Sequence, residues 1–175
     1  LKAGTNETVF CVNLMDAANP EHTENAGATF RAEFLKRHAR TLFVPVTTAT
    51  TQNEADLIRQ VAGRHKTVVV SCSIRIASSK GSPGLTEIQV NLLRALAEQS
   101  GRFAFALFGS PYLLESITEL PSYVLAYEFC PEAEAAMVRA FLGEIPFQGK
   151  LPVTVGSFPV GFSLKKPERL PRLER

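Results

Sequence analysis

A few side chains in this 175-residue sequence are of types that do chemistry. Cys72 follows a hydrophobic run and would be the one candidate nucleophile of a strand-to-helix elbow, but Ser71 and Ser73 flank it where such elbows carry glycines. Free cysteine is among the most buried residue types, so Cys72, like Cys11 and Cys130, reads first as an inert core thiol. His22 shares the loop Asn19 to Gly27 with Glu21 and Glu24 and is the one histidine placed for a catalytic pair; a plain surface loop explains the same residues. Asp16, Arg75, Ser110, Tyr112 and Glu128 each come at or just after an apolar segment, where side chains gather at the carboxyl edge of a sheet. Together with His22 they are the candidate substrate contacts, although polar residues follow every strand and none stands out alone.

Several chemistries are excluded by what the same positions lack. The turn Met15-Asp16-Ala17-Ala18-Asn19-Pro20 has no glycine, and no Gly-x-Gly-x-x-Gly or Walker pattern occurs, so backbone N–H groups have no way to approach a nucleotide's phosphates. His22, His38 and His65 show no metal-binding spacing, and His38 at a helix end does no more than favour the helix dipole. No cofactor and no metal are expected. Fifteen glutamates accompany two aspartates, Asp16 and Asp56, and the sequence points to no particular carboxylate pair.

The elements that must position these residues alternate strand and helix. Strands are expected at Glu7 to Leu14, Thr41 to Val46, Thr67 to Ile76, Phe103 to Phe108 and Tyr123 to Tyr127, the first and third being apolar enough to be buried on both faces. The spacing predicts helices over Thr29 to Arg40, from Thr51 with Glu54 as a capping box to Gly63, over Thr86 to Gln99, and from Pro131 onward. Core faces are expected from Phe30, Phe34 and Leu35; from Leu57, Ile58, Val61 and Ala62; from Leu92, Leu93, Leu96 and Ala97; and from Ala133, Ala136, Met137, Ala140 and Phe141. This order implies right-handed crossovers and a three-layer α/β/α sandwich, with a mainly parallel sheet of five or six strands and an irregular C-terminal wrap. Leu151 to Val155 is the possible sixth strand, at an edge because of Pro152.

Composition agrees with one domain over 1–164 followed by a charged, proline-broken tail or linker over 165–175. Hydrophobic residues make up 45% of the chain, enough for a continuous core, and the longest apolar runs are strand-sized, so no membrane span is expected. A net charge of +2 spread along the chain gives no basic face for nucleic acid. Three widely separated cysteines suggest neither a disulfide framework nor zinc. The chain starts at Leu1 rather than methionine, which reads as a processed or excised piece.

One set of segments resembles a known family. Phe108-Gly109-Ser110-Pro111-Tyr112-Leu113, Tyr123-Val124-Leu125-Ala126-Tyr127-Glu128, the block Gly143-Glu144-Ile145-Pro146-Phe147-Gln148-Gly149-Lys150-Leu151-Pro152-Val153-Thr154-Val155, and Phe158-Pro159-Val160-Gly161 are similar to the C-terminal α/β sandwich domain of glycoside hydrolase family 3, in its β-N-acetylhexosaminidase and β-glucosidase branches. By motif the resemblance covers about the last third of the chain. Ser110 departs from it, since relatives often carry asparagine there. The resemblance implies an accessory domain packed on a (β/α)8 barrel that carries the nucleophilic aspartate in a Lys-His-Phe-Pro-Gly-His-like motif absent from this sequence, so no residue here is expected to be catalytic. It also implies a carbohydrate substrate for the parent and a secreted or periplasmic residence. Read without the family, the 143–155 block is a helix stop, a turn and an edge segment. Two alternatives from other classes stay open: a free-standing α/β module binding a small ligand at the strand ends, and a cysteine-dependent, amidotransferase-like enzyme using Cys72.

Overall fold

The computed structural model describes residues 7–16, 27–74 and 84–163. Five strands, β1 (Val9–Met15), β2 (Thr41–Val46), β3 (Thr67–Ser73), β4 (Arg102–Leu107) and β5 (Tyr123–Leu125), form one sheet in the order β2-β1-β3-β4-β5. All four pairings are parallel. β1 and β3 are central, which is why their sequences are apolar on both sides: every residue of β3 is buried.

Two helix layers close the sheet. α2 (Gln52–Ala62) and α3 (Glu87–Gln99) cover the face carrying Phe10, Val12, Leu14, Val68, Val70 and Leu107. α1 (Ala28–Arg37) and α4 (Pro131–Phe141) cover the other, where Phe30, Phe34, Met137, Val138 and Phe141 meet Val9, Cys11, Val69 and Ala106. The three-layer parallel sandwich anticipated from the alternation is the observed fold. No helix among the described residues is long and apolar enough to cross a membrane.

Helix starts follow local chemistry in two cases. Thr51 and Glu54 form the expected capping box, and Thr86 and Gln89 form a second. α1 differs, because its N-cap is Gly27 at φ 77° and no neighbouring side chain among the described residues caps it. The cap arrives from 107 residues away: Glu134, buried in the first turn of α4, accepts the N–H of Gly27 at 3.0 Å and that of Phe30 at 2.8 Å. One carboxylate thus satisfies two orphan donors of α1 and ties both helices of that layer together.

Some expected faces turn out differently. Leu57 is 59% exposed, and Ala55 with Ala62 forms the buried side of α2. α4 buries Glu134, Met137, Val138 and Phe141 while Ala136 faces out, because the cap contact rotates the charged position inward. Buried His38 closes α1, its Nδ1 3.2 Å from Thr41 Oγ1.

The expected edge strand at Leu151 to Val155 is not one. Leu151 donates to Phe162 O at 2.9 Å and accepts from Gly161 N–H at 2.7 Å, and Val155 and Phe158 exchange two bonds of 2.9 Å. The segment pairs with itself, so the sheet stops at β5, and Val155 plugs into the core instead. Phe158 lies edge-on to Tyr123 with centroids 5.9 Å apart, covering the amino end of β5.

The 143–155 block begins with a Schellman closure. Glu144 N–H bonds Arg139 O at 2.8 Å and Gly143 N–H bonds Ala140 O at 3.0 Å, with Gly143 at φ 73°. Glu144 then accepts Arg37 Nε at 3.0 Å, joining the ends of α1 and α4. Gly143→Ala is expected to cost about 1 kcal/mol through the left-handed backbone alone, read as a lower urea midpoint with an unchanged slope.

Candidate functional site

In a sheet of this order the crevice lies beyond the carboxyl ends of the strands, with the switch point between β1 and β3. There the polar groups are turned on one another. Ser71 donates to Asn13 Oδ1 at 2.9 Å across the β1–β3 pairing, and Gly27 packs so closely on Asn13 that a Cβ would lie 2.9 Å from its amide nitrogen. The N-terminus of α1, the natural anion cradle of such folds, already holds the Glu134 carboxylate. A phosphate arriving there would meet a fixed negative charge. Among the described residues no cluster of His, Cys, Asp and Glu could hold a metal ion.

The structure divides the candidate contacts. Asp16, buried with 7% exposure, sits after β1. Ser110 and Tyr112 follow β4, and Glu128 follows β5. With strands about 4.8 Å apart, β1 and β4 stand roughly 10 Å apart across β3, so Asp16 is not part of the second group. His22 and Arg75 lie outside the described residues.

The β4 and β5 loops are neighbours built on a shared brace. Pairing continues past the strands: Ala126 N–H bonds Leu107 O at 2.9 Å, and Phe108 N–H bonds Cys72 O at 2.9 Å. Gly109 follows at φ 92°, and the Phe129 ring lies against it so closely that a Cβ would be 2.2 Å from Cζ. Ser110 opens a 3-10 turn, Pro111–Ser116, with its side chain making no cap bond, while Leu113 and Leu114 anchor the turn in the core. Tyr112 projects outward, 49% exposed. From β5, Tyr127 adopts φ 61°, the one described non-glycine residue at positive φ. That conformation is unusual for a bulky side chain. It leaves the Tyr127 ring partly exposed and aims the chain so that exposed Glu128 accepts the N–H of Phe129 at 2.9 Å. Partial burial pushes the Tyr127 phenol up from its usual range.

Tyr127, Gly109 and Phe129 are the residues of this loop pair that sequence reasoning passed over. Gly109 and Tyr127 were both inside the family-like segments, but nothing local signals a positive φ at a tyrosine.

Cys72 is the buried core thiol that it first reads as, not the nucleophile of a strand-to-helix elbow. It lies within β3, paired with Leu14 and Leu107, fully buried, and burial pushes its thiol up to about 12. Cys11 is likewise buried and raised. A nucleophile needs an accessible thiolate, so the cysteine-enzyme alternative falls. Native protein is expected to take one iodoacetamide label, at half-buried Cys130, and urea-unfolded protein three. The same two thiols set an alkaline limit. Their folded pKa values lie above the unfolded value, so their contribution is intact below about pH 8.5 and is lost as pH rises, by roughly 1 kcal/mol per pH unit for each thiol. Urea midpoints at pH 8, 9 and 10 should fall accordingly, and Cys72→Ala should flatten the decline.

A groove of about 250 Å³ exists elsewhere, lined by Arg94, Ala97, Leu120 and Pro121 beside α3. It lies at the amino end of β5, and the exposed Arg94–Glu119 ion pair along it adds little stability.

Comparison with solved structures places this fold. A segment of a fungal multi-domain GH3 β-N-acetylglucosaminidase, described as holding a GCN5-related glucosamine N-acetyltransferase region, superposes with a TM-score of 0.71 over 94% of this chain, at 20% identity. A glycoside hydrolase family 3 β-N-acetylglucosaminidase from Paenibacillus sp. str. FPU-7 gives 0.66 over 85%, at 19% identity. The β-glucoside phosphorylase BglX gives 0.59 over 82%, at 13% identity. The fold is thus that of a domain found inside family 3 glycoside hydrolase chains, as the motif resemblance implied. This chain spans 17%, 27% and 25% of those three chains. No family model matches the sequence, and no curated protein matches it.

Proposed function

We propose that this chain is the C-terminal α/β sandwich domain of a longer family 3 glycoside hydrolase whose catalytic nucleophile resides on a (β/α)8 barrel. The parent is a β-N-acetylhexosaminidase, secreted or periplasmic, and this domain packs on the barrel and lends strand-end loops to the sugar site. The domain is taken to span 1–164, with the charged, proline-broken stretch 165–175 as a tail or linker. The observation that carries the reading is the superposition of nearly the whole chain on about a quarter or less of two family 3 β-N-acetylglucosaminidases. The 143–155 block supports it, because its Gly143 closes α4 and its Glu144 joins α4 to α1, so the block secures the fold itself.

The reading divides chemistry from support. Cys72 is sealed in the sheet, the α1 N-terminus holds Glu134, and the exposed polar groups sit in the β4 and β5 loops. Pure chain is therefore expected to fold cooperatively and to hydrolyse no p-nitrophenyl N-acetylglucosaminide, while the full-length parent does. Turnover by the pure chain, abolished by substitution within it, would overturn the reading.

A further inference from the structure

The two edges of the sheet differ. At β5 the C-terminal segment lies against the edge strand, with Phe158 edge-on to Tyr123. At β2 no described strand follows, and the outer side of the strand is unpaired. Val9 N–H bonds Arg40 O, so the backbone of Arg40, Leu42 and Val44 is turned toward β1 and that of Thr41, Phe43 and Pro45 outward. Pro45 has no N–H, which leaves Thr41 and Phe43 as the outward donors of the strand.

The side chains along this edge are apolar and uncovered. Leu42, 45% exposed, lies on the face of β2 that carries Val44 and Val46, the face that α2 covers. α2 crosses from β2 to β3 and α3 from β3 to β4, so α2 is the outer helix on the β2 side. Gln99 of α3 donates to Arg59 O at 2.9 Å and lies beside Gly63, which turns that side of α2 toward α3. Glu54, Leu57 and Val61 share the opposite side, because residues two apart on a helix point apart while those three or four apart line up. They therefore face the open edge, with Leu57 59% exposed and Val61 half-buried.

We propose that this edge pairs with a second copy of the chain about a two-fold axis, β2 antiparallel to β2 and α2 antiparallel to α2. The surface is complementary to itself. Antiparallel helices that set Leu57 opposite Val61 of the second copy also set Glu54 opposite Arg64 of the second copy, since each charge lies three residues beyond its apolar neighbour. Glu54 uses one carboxylate oxygen on Thr51 at its own helix start and keeps the other for that contact. Thr41 and Phe43 supply the hydrogen bonds between the strands, and Leu42 fills the space below the helices. With one edge open and the other occupied, a two-fold pairing closes at two copies and does not propagate. Neither β2 nor α2 belongs to the carboxyl-end loops of the accessory-domain reading, so the two accounts stand or fall separately.

Sedimentation equilibrium of the 175-residue protein over about 1–300 μM should show conversion from 19.1 kDa to twice that mass. Leu57→Glu, at an exposed position, should keep its melting temperature and weaken association by about tenfold or more. Arg64→Glu should weaken it about fivefold at low salt, and adding Glu54→Lys should restore it. Amide exchange at Phe43 should slow as concentration rises, while that at Leu42, whose backbone faces β1, should not change. A monomer throughout, association indifferent to Leu57→Glu, or a dimer whose Phe43 amide exchanges as fast as the monomer's would overturn the proposal. Should Leu57→Glu fail to fold, Arg64→Glu with its reversal and the Phe43 amide decide it.

Discussion

Replacing Glu134 with alanine should destabilise the protein by about 3 kcal/mol, which is roughly 6–12 °C in Tm for a chain of this size. The side chain is buried, and its two oxygens accept the N–H groups of Gly27 and Phe30. Hydrogen bonds to a charged group are worth about 1.5–3 kcal/mol each, and among the described residues α1 has no local side-chain cap to replace them. Two donors at a buried helix end would then be left without a partner. Glu134→Gln keeps one acceptor but turns an amide N–H₂ toward a backbone N–H, so it should recover only about half the loss. Urea unfolding measures both variants, and amide exchange at Gly27 and Phe30 should quicken before any other part of α1. A change within about 0.5 kcal/mol for Glu134→Ala would show that the cap is incidental.

The second large effect is at Gly109. Any Cβ there meets Phe129 at 2.2 and 2.3 Å, and φ 92° is beyond the range an L-residue takes readily. Left-handed strain of about 1–2 kcal/mol and overpacking of about 1–3 kcal/mol make Gly109→Ala cost about 3 kcal/mol. The cause can be separated from simple backbone strain. Phe129→Ala removes the ring that the new methyl would strike, so the double variant should be more stable than the sum of the two single losses by about 1–2 kcal/mol. Strict additivity would mean that the ring is free to move aside and that Gly109 is needed for its dihedral angle alone.

How much of this was legible in the sequence depends on the range of the interaction. The β-branched run Val68-Val69-Val70, the Thr51–Glu54 box and Pro131 at the start of α4 are local signals, and each produced the expected element. The Thr86–Gln89 box has the same spacing and was legible in the same way. The cap of α1 was not, since it joins residues 107 positions apart and only the fold brings Glu134 to Gly27. Helical periodicity placed Ala136 inward for the same reason: an alanine fits a core face better than a glutamate unless the glutamate has donors to meet there. Alternation of Leu151, Val153 and Val155 suggested a strand, but alternation does not say which backbone is the partner, and here it is the segment's own return through Gly161 and Phe162.

The site was legible by topology more than by residue type. Ser110, Tyr112 and Glu128 were placed after strands four and five, and the structure sets those loops side by side. Asp16 followed the same rule and lands two strands away from β4. Gly109 and Tyr127 both adopt positive φ, Gly109 tight against the Phe129 ring, and neither conformation leaves a local mark in the sequence.

The central claim, that this chain is the supporting half of a family 3 glycosidase, is tested most directly by the coding sequence immediately upstream of Leu1 in the source gene. The account predicts a barrel-length segment bearing an aspartate and a Lys-His-Phe-Pro-Gly-His-like motif. A start codon or a signal peptide joined directly to Leu1 would contradict it.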